Sequence, residues 1–150
     1  MENRGKELNL FLVRVFNEIL RTEERDLAGR FPDLSLRELH LIEEVCRAEE
    51  EGRDNRATAI AAAQRVTAGT LTTAVTLLEK KGYLERRRDQ KDRRVVRLFP
   101  TDRGREVDRR HGAFHREMVE HILGVLTPEE ARCFTKGLGA VAAFFRGRKD

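Results

Sequence analysis

The feature that most restricts how this chain folds is the change of hydrophobic period at Gly82. Before that glycine, Leu71, Ala74, Val75 and Leu78 share one side of a helix wound at about 100° per residue, while Gly69, Thr72, Thr73, Thr76 and Lys80 share the other. Thr67 is a good N-cap for this helix, which the spacing carries from Ala68 to Lys81, and Gly82 ends it. Beyond Gly82, Tyr83–Arg87 and Arg93–Phe99 read as two strands joined by Arg88-Asp89-Gln90-Lys91-Asp92. A polar-faced helix that stops on glycine and turns into a charged hairpin leaves few architectures open. Five threonines between Thr67 and Thr76 are poor helix formers and unusual as plain surface residues.

The rest of the chain is helical. Leu8, Phe11, Leu12, Val15, Phe16, Ile19 and Leu20 recur at three- and four-residue spacing in a first helix that reaches about Gly29. Ser35 and Glu38 form a capping box that opens a second helix through about Ala48, with Leu39, Ile42 and Val45 on one face. The polar stretch 49–55, broken by Gly52, connects it to an alanine-rich helix from Ala57 to Gln64. That helix, the Arg65-Val66 turn and the threonine-rich helix have the order of a helix-turn-helix. After the hairpin the chain returns to helix from Thr101 to about Val125. Thr127-Pro128-Glu129-Glu130 then starts a last helix through Phe134, Leu138, Val141, Phe144 and Phe145.

Charge points to a partner. From Lys80 to Arg97 nine basic residues stand against three acidic ones, although the whole chain of 150 residues carries a formal charge of only +4. A basic segment on a near-neutral body is the electrostatic footprint of a polyanion binder. Thr side chains suit a helix in the major groove, and a hairpin with this concentration of like charge suits a wing on the DNA backbone. The expected contacts are Thr67, Gly69, Thr70, Thr72, Thr73, Thr76 and Lys80 on the helix, and Arg86, Arg88, Lys91, Arg93 and Arg94 on the wing.

Other function classes find little support. No phosphate-binding glycine loop is present, and Ser35, the only serine, is taken by a cap, so an enzyme such as an esterase is the weakest reading. No apolar run approaches the ~20 residues that span a bilayer, and the start lacks a secretory leader, so the expected location is the cytoplasm, away from membranes. Cys46 and Cys133 share no motif and are expected to be buried and reduced. An adaptor that docks an acidic protein on the basic segment is a further reading.

Leu78-Glu79-Lys80-Lys81-Gly82-Tyr83-Leu84 resembles the recognition-helix exit of the MarR family, and Asp92-Arg93-Arg94-Val95-Val96 resembles its wing signature. The likeness covers nearly the whole chain. Within the family, Val15–Leu20, Thr67–Thr73 and His111–Val119 are similar to the fatty-acid-synthesis repressor branch. The resemblance implies a mainly α fold, a winged helix-turn-helix with a two-stranded β-wing and long terminal helices that form a dimerisation domain. Residues 1–150 then form a single domain, with dimerisation helices at about 6–30 and 101–146 and the winged helix-turn-helix at about 35–99. It further implies a homodimer on a pseudo-palindromic double-stranded DNA operator, acting as a repressor, with Asp92 pairing with a wing arginine and Arg94 reaching DNA. The chain departs from the family pattern at Pro100, Gln64 and Arg56, which affects local packing and capping, while Gly104 stands where the family has it.

Phe11, Val15 and Phe16 of the first helix, Leu39 and His40 of the second, and His111, Phe114 and His115 of the fifth are candidates for an effector pocket, an apolar slot with imidazoles. The branch resemblance implies a long-chain acyl group, presented on acyl-carrier protein, that strengthens operator binding. No cofactor is required on this reading. His111 and His115 also have the spacing of a chelating pair, and with His40 and Glu23 or Glu24 they resemble the set of zinc-responsive relatives. Release by a small phenolic or lipophilic ligand is the third alternative.

Overall fold

The computed structural model describes residues 2–148. Among them six helices and one hairpin follow in the order α1 (Glu2–Arg30), α2 (Leu36–Glu50), α3 (Ala57–Ala63), α4 (Ala68–Lys80), β1 (Leu84–Arg88), β2 (Val96–Pro100), α5 (Asp102–Val125) and α6 (Pro128–Gly147). The two expected capping boxes form, Ser35 with Glu38 at α2 and Thr127 with Glu130 at α6. Each satisfies two backbone amides that an open helix start leaves unpaired. Thr67 caps α4 by accepting the Thr70 amide at 3.2 Å.

α4 ends as its glycine predicts. Gly82 takes a φ of 81°, the Tyr83 amide donates to the Leu78 carbonyl at 2.9 Å, and the Gly82 amide donates to Glu79 at 3.0 Å. This is the helix-closing pair that a left-handed residue permits. The chain then leaves α4 against the first turn of α5. Arg103 donates to the Lys81 carbonyl at 3.0 Å, and the Thr101 hydroxyl donates to that of Gly82 at 2.6 Å. The Thr101 amide donates to the Tyr83 carbonyl at 3.1 Å, and a Cβ on Gly104 would overlap that same oxygen. Glycine at 104 is therefore a matter of space.

The hairpin departs from its expected limits. Leu84 pairs with Pro100 and Arg88 with Val96, so β1 lies one residue later than the alternation predicts and β2 begins at Val96 instead of Arg93. Asp89 and Asp92 cause the difference. The Asp89 carboxylate accepts the amides of Lys91 and Asp92, each at 3.1 Å, and the Asp92 carboxylate accepts that of Arg94 at 3.0 Å. These local bonds turn residues 89–95 into a wound tip before pairing can start. Arg56 also departs from the family's capping residue, and its own amide is taken by the Asp54 carboxylate at 3.0 Å.

The chain divides between Arg109 and Arg110 into two units. In the first, one core gathers side chains from α2, α3, α4, the hairpin and the start of α5, with Leu39, Ile42, Val45, Leu78 and Tyr83 fully buried. The second holds the rest of α5 and α6. None of the described α6 side chains is buried. That overturns the expectation for Cys133, which is exposed, whereas Cys46 is buried as expected. Burial first, then the nearby carboxylates of Asp108, Glu49 and Glu50, push the Cys46 thiol up to about 12, which leaves it inert as a nucleophile.

Candidate nucleic-acid interface

The interface is built on α4. Leu71, Val75 and Leu78 are buried at 3%, 1% and 0% exposure and anchor the helix, which is the phase the spacing predicts. Thr72, Thr73 and Lys80 on the other side are exposed, and Thr76 is half-buried. Gly69, Thr67 and Thr70 are exposed at the helix start. Thr72 also faces a cleft of about 280 Å³ shared by Thr58 of α3, Ala68 of α4 and Arg94 and Val95 of the wing tip. A recognition-type helix and a basic wing thus flank one concave strip.

The basic residues separate into two groups. Arg88, Lys91, Arg93 and Arg94 sit exposed at or beside the tip. The Arg94 side chain is 92% exposed, and its guanidinium bonds Asp92 at 3.1 Å, which matches the carried-over expectation that Asp92 pairs with a wing arginine. Arg88 donates to the Arg93 carbonyl at 2.7 Å. Arg97 and Arg94 hold Asp89 and Asp92, respectively, below the usual carboxylate range through hydrogen bonds.

The second group is held inside the lobe. Arg86 donates from Nε to Glu79 Oε1 at 2.6 Å, from its amide to Glu79 Oε2 at 3.1 Å, and from Nη2 to the Thr76 hydroxyl at 2.7 Å. Arg86, one of the expected wing contacts, thereby also ties the wing to α4. Lys81 binds both oxygens of Glu38, at 2.9 and 3.1 Å, and the Asp33 carbonyl. Arg97 bridges Asp89 at 2.7 Å and Asn55 at 3.0 Å. Asn55 in turn pairs with Leu98 through its backbone carbonyl at 2.9 Å and its side-chain amide at 3.1 Å. Sequence reading missed the roles of Asn55, Glu79 and Arg97, because their partners lie 7 to 43 residues away and no local spacing announces them.

The effector candidates are distributed over both units. Phe11, Val15 and Phe16 are exposed on α1, and so is Glu24. Leu39 is fully buried in the core, while the exposed His40 lines a groove of about 960 Å³ with Leu41, Val66, Leu71, Ala74 and Leu77. Neighbours in sequence, these two residues project about 100° apart on α2, one into the core and one into the groove. On α5, Nε2 of His111 and Nε2 of His115 lie 2.7 Å apart, and the Phe114 ring lies 6.0 Å from the first imidazole and 5.4 Å from the second. At this distance one ring nitrogen donates to the other, which of the two depending on the tautomer.

A helix-turn-helix whose second helix runs into a basic two-stranded wing defines a winged-helix regulator of the DNA-binding class. The MarR family profile matches residues 47–96. FabT of Streptococcus pneumoniae, solved in complex with DNA, is 39% identical over 96% of this chain and 99% of its own, with a TM-score of 0.87. The S. aureus MepR–DNA complex, at 19% identity, a TM-score of 0.67 and coverage of 90% and 96%, shares the fold. So does the adhesin competence repressor AdcR of Streptococcus pyogenes, at 20% identity, a TM-score of 0.69 and coverage of 93% and 98%. No curated protein matches the chain. The chain belongs to the MarR family of DNA-binding transcription regulators, in the FabT branch. Members of this family are regulators and not enzymes. No described helix is long and apolar enough to cross a membrane.

Proposed function

We propose that the protein is a homodimeric repressor that places α4 of each protomer in the major groove of a pseudo-palindromic operator and the wing tips on the flanking backbone. The observation that carries this reading is the 39% identity, nearly end to end, to a FabT solved on DNA. The exposed threonine face and tip arginines agree with it. Dimerisation is supported by apolar side chains left open on the terminal helices: Leu8, Phe11 and Phe16 of α1, and Phe134, Phe144 and Phe145 of α6, each 48% exposed or more. Exposed apolar surface on this scale calls for a partner.

Within that reading the regulated process is fatty-acid synthesis, and the effector is a long-chain acyl group on its acidic carrier protein, which strengthens operator binding. The FabT likeness supports both statements. The aromatic face of α1 and, separately, the His111, Phe114 and His115 group are the candidate acyl contacts.

The test is one operator-binding titration. A duplex selected by the pure protein from a randomised pool is titrated with acyl-carrier protein, with and without a long acyl chain, and separately with zinc. Tighter binding with the acylated carrier alone is expected. A response to zinc alone, lost in His111→Ala or His115→Ala, overturns the acyl reading, as does release by a phenolic ligand with no acyl response. A protein that selects no duplex overturns the repressor reading itself.

A further inference from the structure

The hydrogen bonds of the threonine face determine what it can read. Thr72 donates its hydroxyl to the Ala68 carbonyl at 2.9 Å, Thr73 to Gly69 at 3.1 Å and Thr76 to Thr72 at 2.8 Å. Thr67 and Thr70 bond to each other through their hydroxyls at 2.9 Å. A β-branched side chain whose oxygen turns back along the helix leaves its γ-methyl as the group facing outward. At Thr72 and Thr73, both exposed, the outer surface is therefore methyl in place of a free donor.

The long side chains that read purines are missing from the same face. Bidentate recognition of guanine or adenine needs Arg, Lys, Asn or Gln aimed at the base edge. Between Thr67 and Glu79 the sequence has none of these, and Lys80 stands at the far end of α4. Arg86, beside Thr76, is held by Glu79 and by Thr76 itself. Ala68 and Gly69 leave the start of the helix low, so that a groove floor can approach it closely.

We infer that the recognition face selects its operator through the 5-methyl groups of thymine, met by the γ-methyls of Thr72 and Thr73. This rests on the operator-binding reading above. The half-site contains thymine where these two side chains meet the groove, and selection there comes from apolar contact, not from hydrogen bonds to base edges.

The full chain first selects a duplex from a randomised pool, and that duplex is remade with deoxyuridine in place of thymine in the half-sites, which removes methyl groups and nothing else. Affinity is expected to fall about fourfold for each contacted methyl removed. Thr72→Val and Thr73→Val keep the methyl and discard the hydroxyl, so they retain the preference for thymine over uracil. Thr72→Ser and Thr73→Ser do the reverse and lose that preference. Melting curves of the four variants show that each is folded. Equal binding of the thymine and uracil duplexes by the native chain overturns the inference while leaving operator binding intact, and so does a preference that survives in Ser but not in Val. Failure of the native chain to select any duplex removes the reading beneath it, which is a different and separately visible result.

Discussion

The lobe formed by α2 to β2 and the helices α1 and α6 are built from similar residues and treat them in opposite ways. In the lobe, Leu39, Ile42, Leu78, Tyr83 and Leu98 are at most 1% exposed. On α1 and α6, Leu8 is 61% exposed, Phe11 58% and Phe145 59%. Apolar residues at helical spacing mark a face that will be covered, but the spacing does not say by what. The lobe covers its own face within one chain. Apart from Leu27 of α1, which joins the lobe core, the terminal helices keep theirs open, and a second copy is the proposed cover.

The largest expected effect tests the closed side. Leu78→Ala empties a fully buried site and should lower stability by about 2–5 kcal/mol, at every protein concentration, in urea unfolding. A concentration-dependent loss would show that the lobe core is not self-sufficient. On the open side, Leu138→Glu with Phe145→Glu should give a monomer in sedimentation and lower operator affinity by about a hundredfold or more, as a second linked contact is lost. Far-ultraviolet circular dichroism should stay unchanged. A persistent dimer with native affinity would show that α6 is not the interface.

A smaller effect concerns a charged group beside the lobe core. Burial first, then the charge of Asp108, raise the Glu43 carboxyl from 4.5 to about 7. A raised carboxyl is stabilising while protonated, so this contribution is present below about pH 4.5 and is lost as the pH rises to about 7. Glu43→Gln should therefore be more stable than the native chain by on the order of 2 kcal/mol near pH 8, allowing for the part of the side chain that stays in water, with the gain vanishing below pH ~4.5. Parallel pH–stability curves for the two proteins would refute the assignment.

The smallest effect separates the two kinds of wing arginine. Arg94→Ala should leave the melting temperature unchanged and reduce the slope of log K against log salt by about 0.9, as one phosphate contact is lost. Arg86→Ala should weaken binding with little change of slope, because Arg86 acts on Thr76 and Glu79. Equal slopes for both variants and the native chain would mean that neither residue touches phosphate.

The fold was legible in the sequence wherever short-range chemistry decides the structure. Ser35 with Glu38, Thr127 with Glu130, and Gly82 after Lys81 each settle a helix end with bonds spanning a few residues. The phase of α4 was legible for the same reason. The start of β2 was not, because alternation in Arg93-Arg94-Val95 reads as strand while the Asp89 and Asp92 side chains close the turn first. For the candidate site, the exposed threonines and the tip were legible, but the role of Arg86 was not. A run of arginines looks uniform until Glu79 and Thr76, 7 and 10 residues away, take one of them.

The join between α4 and α5 has a mechanical consequence. Three successive carbonyls, those of Lys81, Gly82 and Tyr83, are gripped by Arg103 and Thr101, and the Arg103 guanidinium lies 4.3 Å from the centre of the Tyr83 ring. Gly104 brings the two backbones too close for any slack between them. The link is a rigid elbow rather than a hinge. The first turn of α5 therefore cannot be displaced without breaking these bonds or carrying the end of α4 with it.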